Sequence, residues 1–221
     1  MEAAAVICAA GASARMGGIK KEYQKLNTGN TVLGSAVLAF ASVPAIELIV
    51  IAVCADTRDE ARSALAPQTL SAQKPKVLFV NGGESRRASV FNALTLLTQY
   101  SPCYVLIHDG ARPWVTVELI KNTLENAKKH GAVIPLLPLT DTPKEYGSDF
   151  ITRHLKRANT GVAQTPQGFK FPEIFYAHQK ADEIKDEEFT DDAEIWGRFY
   201  GPVAIIPGDT ENRKITFRED I

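Results

Sequence analysis

Short apolar runs alternate with longer mixed segments along the chain. The runs cover residues 3–8, 48–53, 77–80, 104–107, 132–137 and 203–206. Most are rich in Val and Ile and lack apolar–polar alternation, the pattern of strands buried on both faces of a parallel sheet. Segments 32–41, 58–65, 85–99, 117–130 and 172–181 between them read as helices. In the fourth, Thr116 is placed to cap the helix, Leu119, Ile120, Thr123 and Leu124 fall on one face, and Gly131 marks the stop. Strand–helix alternation of this kind predicts an α/β three-layer sandwich around a mostly parallel central sheet.

The rhythm breaks after Leu139. Residues 140–167 are polar, punctuated by Pro143, Gly147, Gly161 and Pro166, with strand-like pieces at 150–152 and 161–163. They read as a β-arm inserted into a single domain spanning 1–221; a plain surface excursion carries the same punctuation. The acidic run 182–192 reads as a solvated face or loop.

Composition narrows the partners. A chain of 221 residues with 45% hydrophobic residues can bury a core without disulfides or structural metal. Twenty-five basic against 26 acidic residues leave a net charge of −1, which removes the electrostatic case for nucleic acid or a membrane surface while leaving room for a local basic pocket. No run approaches the roughly 18 apolar residues of a membrane span. Cys8, Cys54 and Cys103 stand far apart in apolar runs, as buried reduced thiols would, and with Glu2 ahead of a short Ala-rich stretch the expectation is a cytoplasmic protein without a signal peptide.

Chemistry concentrates where predicted strands end. After the first strand, Ala9-Ala10-Gly11-Ala12-Ser13-Ala14-Arg15-Met16 offers small residues whose N–H groups can cradle phosphate, with Arg15 and Lys21 adding charge. An exposed βα turn with solvated cations has the same composition. Asn81-Gly82-Gly83-Glu84-Ser85 follows the third strand, where Glu84 and Ser89 suit a base or sugar and Ser85 a helix cap. His108-Asp109-Gly110-Ala111-Arg112 follows the fourth. Asp109 can serve a cation near a nucleotide, Arg112 an anionic substrate, and His108 reads as a packed histidine. Asn212-Arg213-Lys214 follows the last strand. In an open α/β sheet these loops share one rim, so Arg15, Lys21, Asp109, Arg112 and Lys214 are expected around a polyphosphate crevice.

These segments, in this order, resemble the 2-C-methyl-D-erythritol 4-phosphate cytidylyltransferase (IspD) family. The likeness rests on AAGASARM with Lys21-Glu22-Tyr23, GGESRRASV, HDGARP, Asp141-Thr142, Arg157, Gln164-Thr165-Pro166-Gln167, TDDA at 190–193 and NRKIT, from residue 3 to 220. It implies a Rossmann-like nucleotidyltransferase fold, a homodimer joined through the arm, and transfer of CMP from CTP to 2-C-methyl-D-erythritol 4-phosphate with Mg²⁺ or another divalent cation. By position, Arg15, Lys21 and Lys214 are the expected catalytic cations. Ala9, Ala10, Gly11, Gly83, Glu84, Ser89, Asp109 and Gly110 are expected at the nucleotide. Arg112, Thr142, Arg157 and Thr165 are expected at the sugar-alcohol phosphate, some from the partner's arm. Asp109 is the candidate metal ligand, the phosphates of CTP holding most of the ion. The chain departs from the pattern at Lys20, Glu22 and Gly110, and the likeness leads one to expect a further helix beyond Ile221.

The sibling reading is a ribitol-5-phosphate cytidylyltransferase, which differs only in the acceptor pocket. A nicotinamide dehydrogenase would want GxGxxG after the first strand, a GT-A-like glycosyltransferase a DxD motif, and an inactive binding module the loss of Arg15, Lys21 or Lys214.

Overall fold

The computed structural model describes residues 1–221 except 12, 14, 15, 72–74 and 185–187, and of residues 68 and 71 the backbone alone. Strands β1 (Ala3–Ala9), β2 (Ile46–Val53), β3 (Lys76–Asn81), β4 (Tyr104–Asp109) and β5 (Ala132–Pro138) come first. Then β6 (Lys144–Gly147) and β7 (Phe150–His154) form a hairpin, and β8 (Gly161–Ala163), β9 (Gln167–Lys170) and β10 (Ala204–Pro207) follow. The main sheet runs β10-β5-β9-β4-β1-β2-β3, with β8 paired to β5 ahead of β9. Neighbours are parallel except at β8 and β9, which run antiparallel to theirs.

Alternate residues of β1 supply opposite layers, which is why the sequence shows no polar alternation there. Ala3, Ala5, Ile7 and Ala9 pack with α1 (Val32–Ala41) and α5 (Val117–His130). Ala4 and Val6 pack with α4 (Arg86–Leu97), α6 (Phe171–Glu183) and α7 (Asp192–Phe199). Each fully buried Leu, Ile or Phe in these layers contributes about 1.5–3 kcal/mol relative to an exposed one. Helix α5 follows its sequence signals: Thr116 accepts from the Leu119 N–H, the buried face is Leu119, Ile120, Thr123, Leu124 and Ala127, and Gly131 takes φ +82°.

Several expectations change. The second predicted helix is α2 (Arg58–Ser63), followed by α3 (Pro67–Ser71). Only β6 and β7 stand apart as an exposed hairpin; 161–170 returns to the main sheet, and Gln164, Thr165 and Gln167 are buried. The acidic run is not all solvated. Asp191 caps α7 by accepting from the Glu194 N–H, and Asp192 is fully buried. Nor are the three thiols buried together: Cys103 is exposed, Cys8 and Cys54 are half-buried, and all three are free. Among the described residues no helix is long and apolar enough to cross a membrane.

Parallel pairing aligns the strand ends that carry the site. Ala9 is level with Val53, Val53 with Asn81, and Cys8 with Asp109. The loops leaving β1, β3 and β4 therefore open on one edge.

Candidate active site

A cavity of about 470 Å³ opens at that edge. Ala10, Gly11, Lys21, Gly83, Glu84, Ser89, Asp109 and Lys214 line it, as expected from sequence, together with Cys8, Glu22, Ser85 and Arg86.

Its floor is the end of β1. The loop that follows is tied down by Lys20, whose Nζ donates to the Gly11 carbonyl (2.9 Å) and reaches Cys54 Sγ (3.3 Å). The Cys54 thiol donates in turn to the Ala10 carbonyl at 3.0 Å. Lys20 thus braces the loop, and its neighbour Lys21 lines the cavity. Glu22 beside it is pushed upward in pKa by burial, against its own backbone hydrogen bond and Lys21 and Lys20. Arg15 lies outside the described residues.

One wall is the β3–α4 turn, where neighbouring alanines leave the glycines no room for a side chain. A Cβ on Gly82 would stand 2.3 Å from Ala10 Cβ, and one on Gly83 2.5 Å from Ala88 Cβ. Ser85 caps α4, accepting from the Ala88 N–H at 3.0 Å. The Ser89 hydroxyl accepts from the Gly83 N–H (3.0 Å) and donates to the Ser85 carbonyl (2.9 Å), so it shapes this turn from beneath.

The other wall is Asp109 and its cations. Lys214 Nζ lies 2.9 Å from Oδ2, Arg112 Nε 3.5 Å from Oδ2, and Arg86 Nε 3.4 Å from Oδ1. Burial alone would raise the Asp109 pKa, but Arg86, Lys214 and Arg112 hold it far below the usual carboxylate range. Lys214 is delivered by the C-terminal segment, which the Ile215 N–H ties to the Ala111 carbonyl at 2.9 Å.

Beneath the wall lies a polar layer that does not reach the cavity. Burial lowers the His108 pKa to about 4, so its ring is neutral. Nε2 faces the Arg112 carbonyl at 3.1 Å and must carry the proton, so Nδ1 accepts from the Thr165 hydroxyl at 2.9 Å. The same hydroxyl accepts from the Asp109 N–H at 3.1 Å. Arg112 Nη1 donates to the Asn212 carbonyl (2.7 Å), and Asn212 Nδ2 to the Thr165 carbonyl (2.7 Å). Arg112 and Thr165, expected at a substrate, are buried braces of this wall in the isolated chain, and Ala9 and Gly110 are packed behind the lining.

Thr142 and Arg157 are not brought to the cavity. Both are exposed, and Arg157 Nη1 donates to the Thr140 carbonyl at 2.8 Å. Sequence reasoning missed Arg86 and Asp192, which form an ion pair of 2.8 Å. Arg86 lay inside the quoted GGESRRASV segment and Asp192 inside TDDA, so the signal was present without a role.

The described residues do not form a cage for a free cation. Among the described residues no group of three His, Cys, Asp or Glu is arranged to hold a metal. Asp109 is the charge-bearing oxygen donor in the cation cluster, and both its oxygens already face basic groups. Four basic side chains, Lys21, Arg86, Arg112 and Lys214, at or just behind the lining suit a polyanion such as a nucleoside triphosphate.

Comparison with known proteins agrees with that geometry. The family model described as IspD: 2-C-methyl-D-erythritol 4-phosphate cytidylyltransferase matches residues 3–221. The bifunctional enzyme IspD/IspF of a Bradyrhizobium species is 41% identical over 98% of this chain and 54% of the relative. That of Bartonella tribocorum is 36% identical over the same shares. The chain thus spans about half the length of the curated relatives it matches. Among solved structures, 4-diphosphocytidyl-2C-methyl-D-erythritol synthase from Anaerococcus prevotii superposes with a TM-score of 0.85 at 27% identity, covering 99% of this chain and 92% of that one. The 2-C-methyl-D-erythritol 4-phosphate cytidylyltransferase from Thermus thermophilus gives 0.75 at 31% identity, covering 100% and 95%.

Proposed function

Given that the chain belongs to the 2-C-methyl-D-erythritol 4-phosphate cytidylyltransferase family, we propose that it transfers CMP from CTP to 2-C-methyl-D-erythritol 4-phosphate. The products are 4-diphosphocytidyl-2-C-methyl-D-erythritol and pyrophosphate. The observation that carries the reading is the cavity lined by Lys21, in whose wall Arg86, Arg112 and Lys214 surround the Asp109 carboxylate.

A phosphate oxygen of the acceptor attacks the α-phosphorus of CTP in line, and the bond to the departing pyrophosphate breaks. The nucleophile is already an anion, so no general base is needed, in keeping with a buried neutral His108. The protein's task is to bring two anions together and neutralise charge as it moves to the leaving group. Lys21 and Lys214 do this on the triphosphate, with Arg15. Ala10 and Gly11 offer backbone N–H groups, and Gly83, Glu84 and Ser89 form the base pocket. Mg²⁺ would be held mainly by the triphosphate, with Asp109 as the expected protein carboxylate, and would supply neutralisation of phosphate charge.

The acceptor side uses a second copy. The hairpin exposes Tyr146, Phe150 and Ile151 (77%, 77% and 54%), more apolar surface than a solvated hairpin needs. Pairing of two hairpins would cover it and bring Thr142 and Arg157 towards the partner's Arg112 and Thr165. The free cysteines suit the reducing cytoplasm.

The test is pyrophosphate release from CTP and Mg²⁺ with either 2-C-methyl-D-erythritol 4-phosphate or ribitol 5-phosphate. Release with the first supports the reading. Release only with the second makes the chain the sibling enzyme, and none with either sinks the transferase reading.

A further inference from the structure

We propose that Arg86 is a positioning residue for the transfer, held by a buried Asp192–His178 pair so that its guanidinium fixes the Asp109 carboxylate at the cavity wall. The inference rests on the transferase reading above and adds Asp192 and His178, to which that reading gives no role.

Asp192 is the unusual feature. Its side chain is completely buried, and a buried carboxylate is costly unless paired and hydrogen-bonded. It is not needed as a helix cap, because Asp191 accepts from the Glu194 N–H at 2.8 Å and does that work. Asp192 instead meets Arg86 Nη1 at 2.8 Å and His178 Nε2 at 3.1 Å. His178 is itself fully buried, with its ring 6.4 Å from that of Phe91 and 8° from parallel. The start of α7 is clamped from β9, where Gln167 donates to Asp191 Oδ2 (2.8 Å) and accepts from the Ala193 N–H (3.0 Å).

From this fixed base Arg86 spans two carboxylates. One edge of the fork meets Asp192 and the Nε edge meets Asp109 Oδ1 at 3.4 Å. Lys214 and Arg112 approach only Oδ2. Without Arg86 nothing among these contacts fixes the rotation of the carboxylate, and Lys214 would move with it. A planar guanidinium can make both contacts at once, whereas a lysine ammonium at this position is a point charge serving one of them.

The experiment is a double-mutant cycle with Arg86→Lys and Asp192→Asn in the pyrophosphate-release assay, alongside thermal unfolding. Each single variant is expected to lower kcat about tenfold to about a hundredfold, the range seen when groups that orient functional residues are removed. The CTP KM should change far less. The double variant should be no slower than Arg86→Lys alone, because Asp192 acts only through Arg86. Should Asp192→Asn not fold, His178→Gln replaces it in the cycle. Multiplying effects, or a loss of stability with kcat intact, would overturn the proposal. Failure is separable from failure of the reading beneath it: an inactive wild-type chain removes both, while an active one with unaffected variants removes this inference alone.

Discussion

Asp109 and the hairpin of β6 and β7 carry charge in opposite settings. The Asp109 side chain is 10% exposed and has three basic groups within 3.5 Å. On the hairpin, Arg153 and Glu145 lie 3.6 Å apart with side chains 70% and 54% exposed. An exposed pair of that kind contributes about 0–1 kcal/mol and is screened by salt. The crevice network is costly to bury and is kept fixed before any ligand arrives, as transition-state stabilisation requires. The hairpin gains little from its own charges and keeps its apolar side chains outward. The crevice charges described here are arranged within a single chain, and in the dimer proposed above the hairpin would gain its use when a second surface covers it.

The sharpest way to break this contrast is Lys21→Ala. Loss of one prearranged cation should cut kcat about a hundredfold to a thousandfold, with the CTP KM moving much less. Steady-state kinetics showing a pure KM effect would mean that the crevice binds ground and transition states equally. Next comes acid stability. The His108 pKa is lowered by burial from its ordinary 6.5 to about 4. Between those values the unfolded chain holds more protons than the folded one, so stability falls as pH drops through the window. The full loss is about 3 kcal/mol, at about 1.4 kcal/mol per pKa unit. His108→Gln keeps one donor and one acceptor, and denaturant unfolding at pH 7 and pH 4.5 should show the slope flattened; an unchanged slope would deny the neutral ring its part in the wall. The smallest effect belongs to the arm. Phe150→Asp should leave the CTP KM unchanged, shift sedimentation from dimer to monomer and raise the acceptor KM about tenfold, near 1.4 kcal/mol. An unaltered dimer would place the second surface elsewhere.

The parallel core was legible because its strands are apolar on both faces and its helices are punctuated by Ser85, Thr116 and Gly131. Strand β9 was not. Its four residues, Gln167–Lys170, include a buried Gln and a Gly, and propensity does not select such a segment for a sheet interior. Helix α7 hid in an acidic run, although Asp191 three residues before Glu194 and then Ile195-Trp196 is a capping signature. At the site, the glycines and Lys214 were readable because their types state their uses. The roles of Lys20 and Thr165 depend on neighbours 9 to 57 positions away in the chain, and local pattern carries no such information.

Strand β9 lies between β4 and β5, which do not pair with each other. The hairpin therefore interrupts a sheet whose centre is filled only by chain that comes after it. A cut at its tip, between Ser148 and Asp149, would separate the protein into two polypeptides laced together through the middle of the same sheet, β4 and β5 from the first gripping β9 from the second. The two pieces would travel as one particle, and the arm, for all its exposure, could be nicked without being shed.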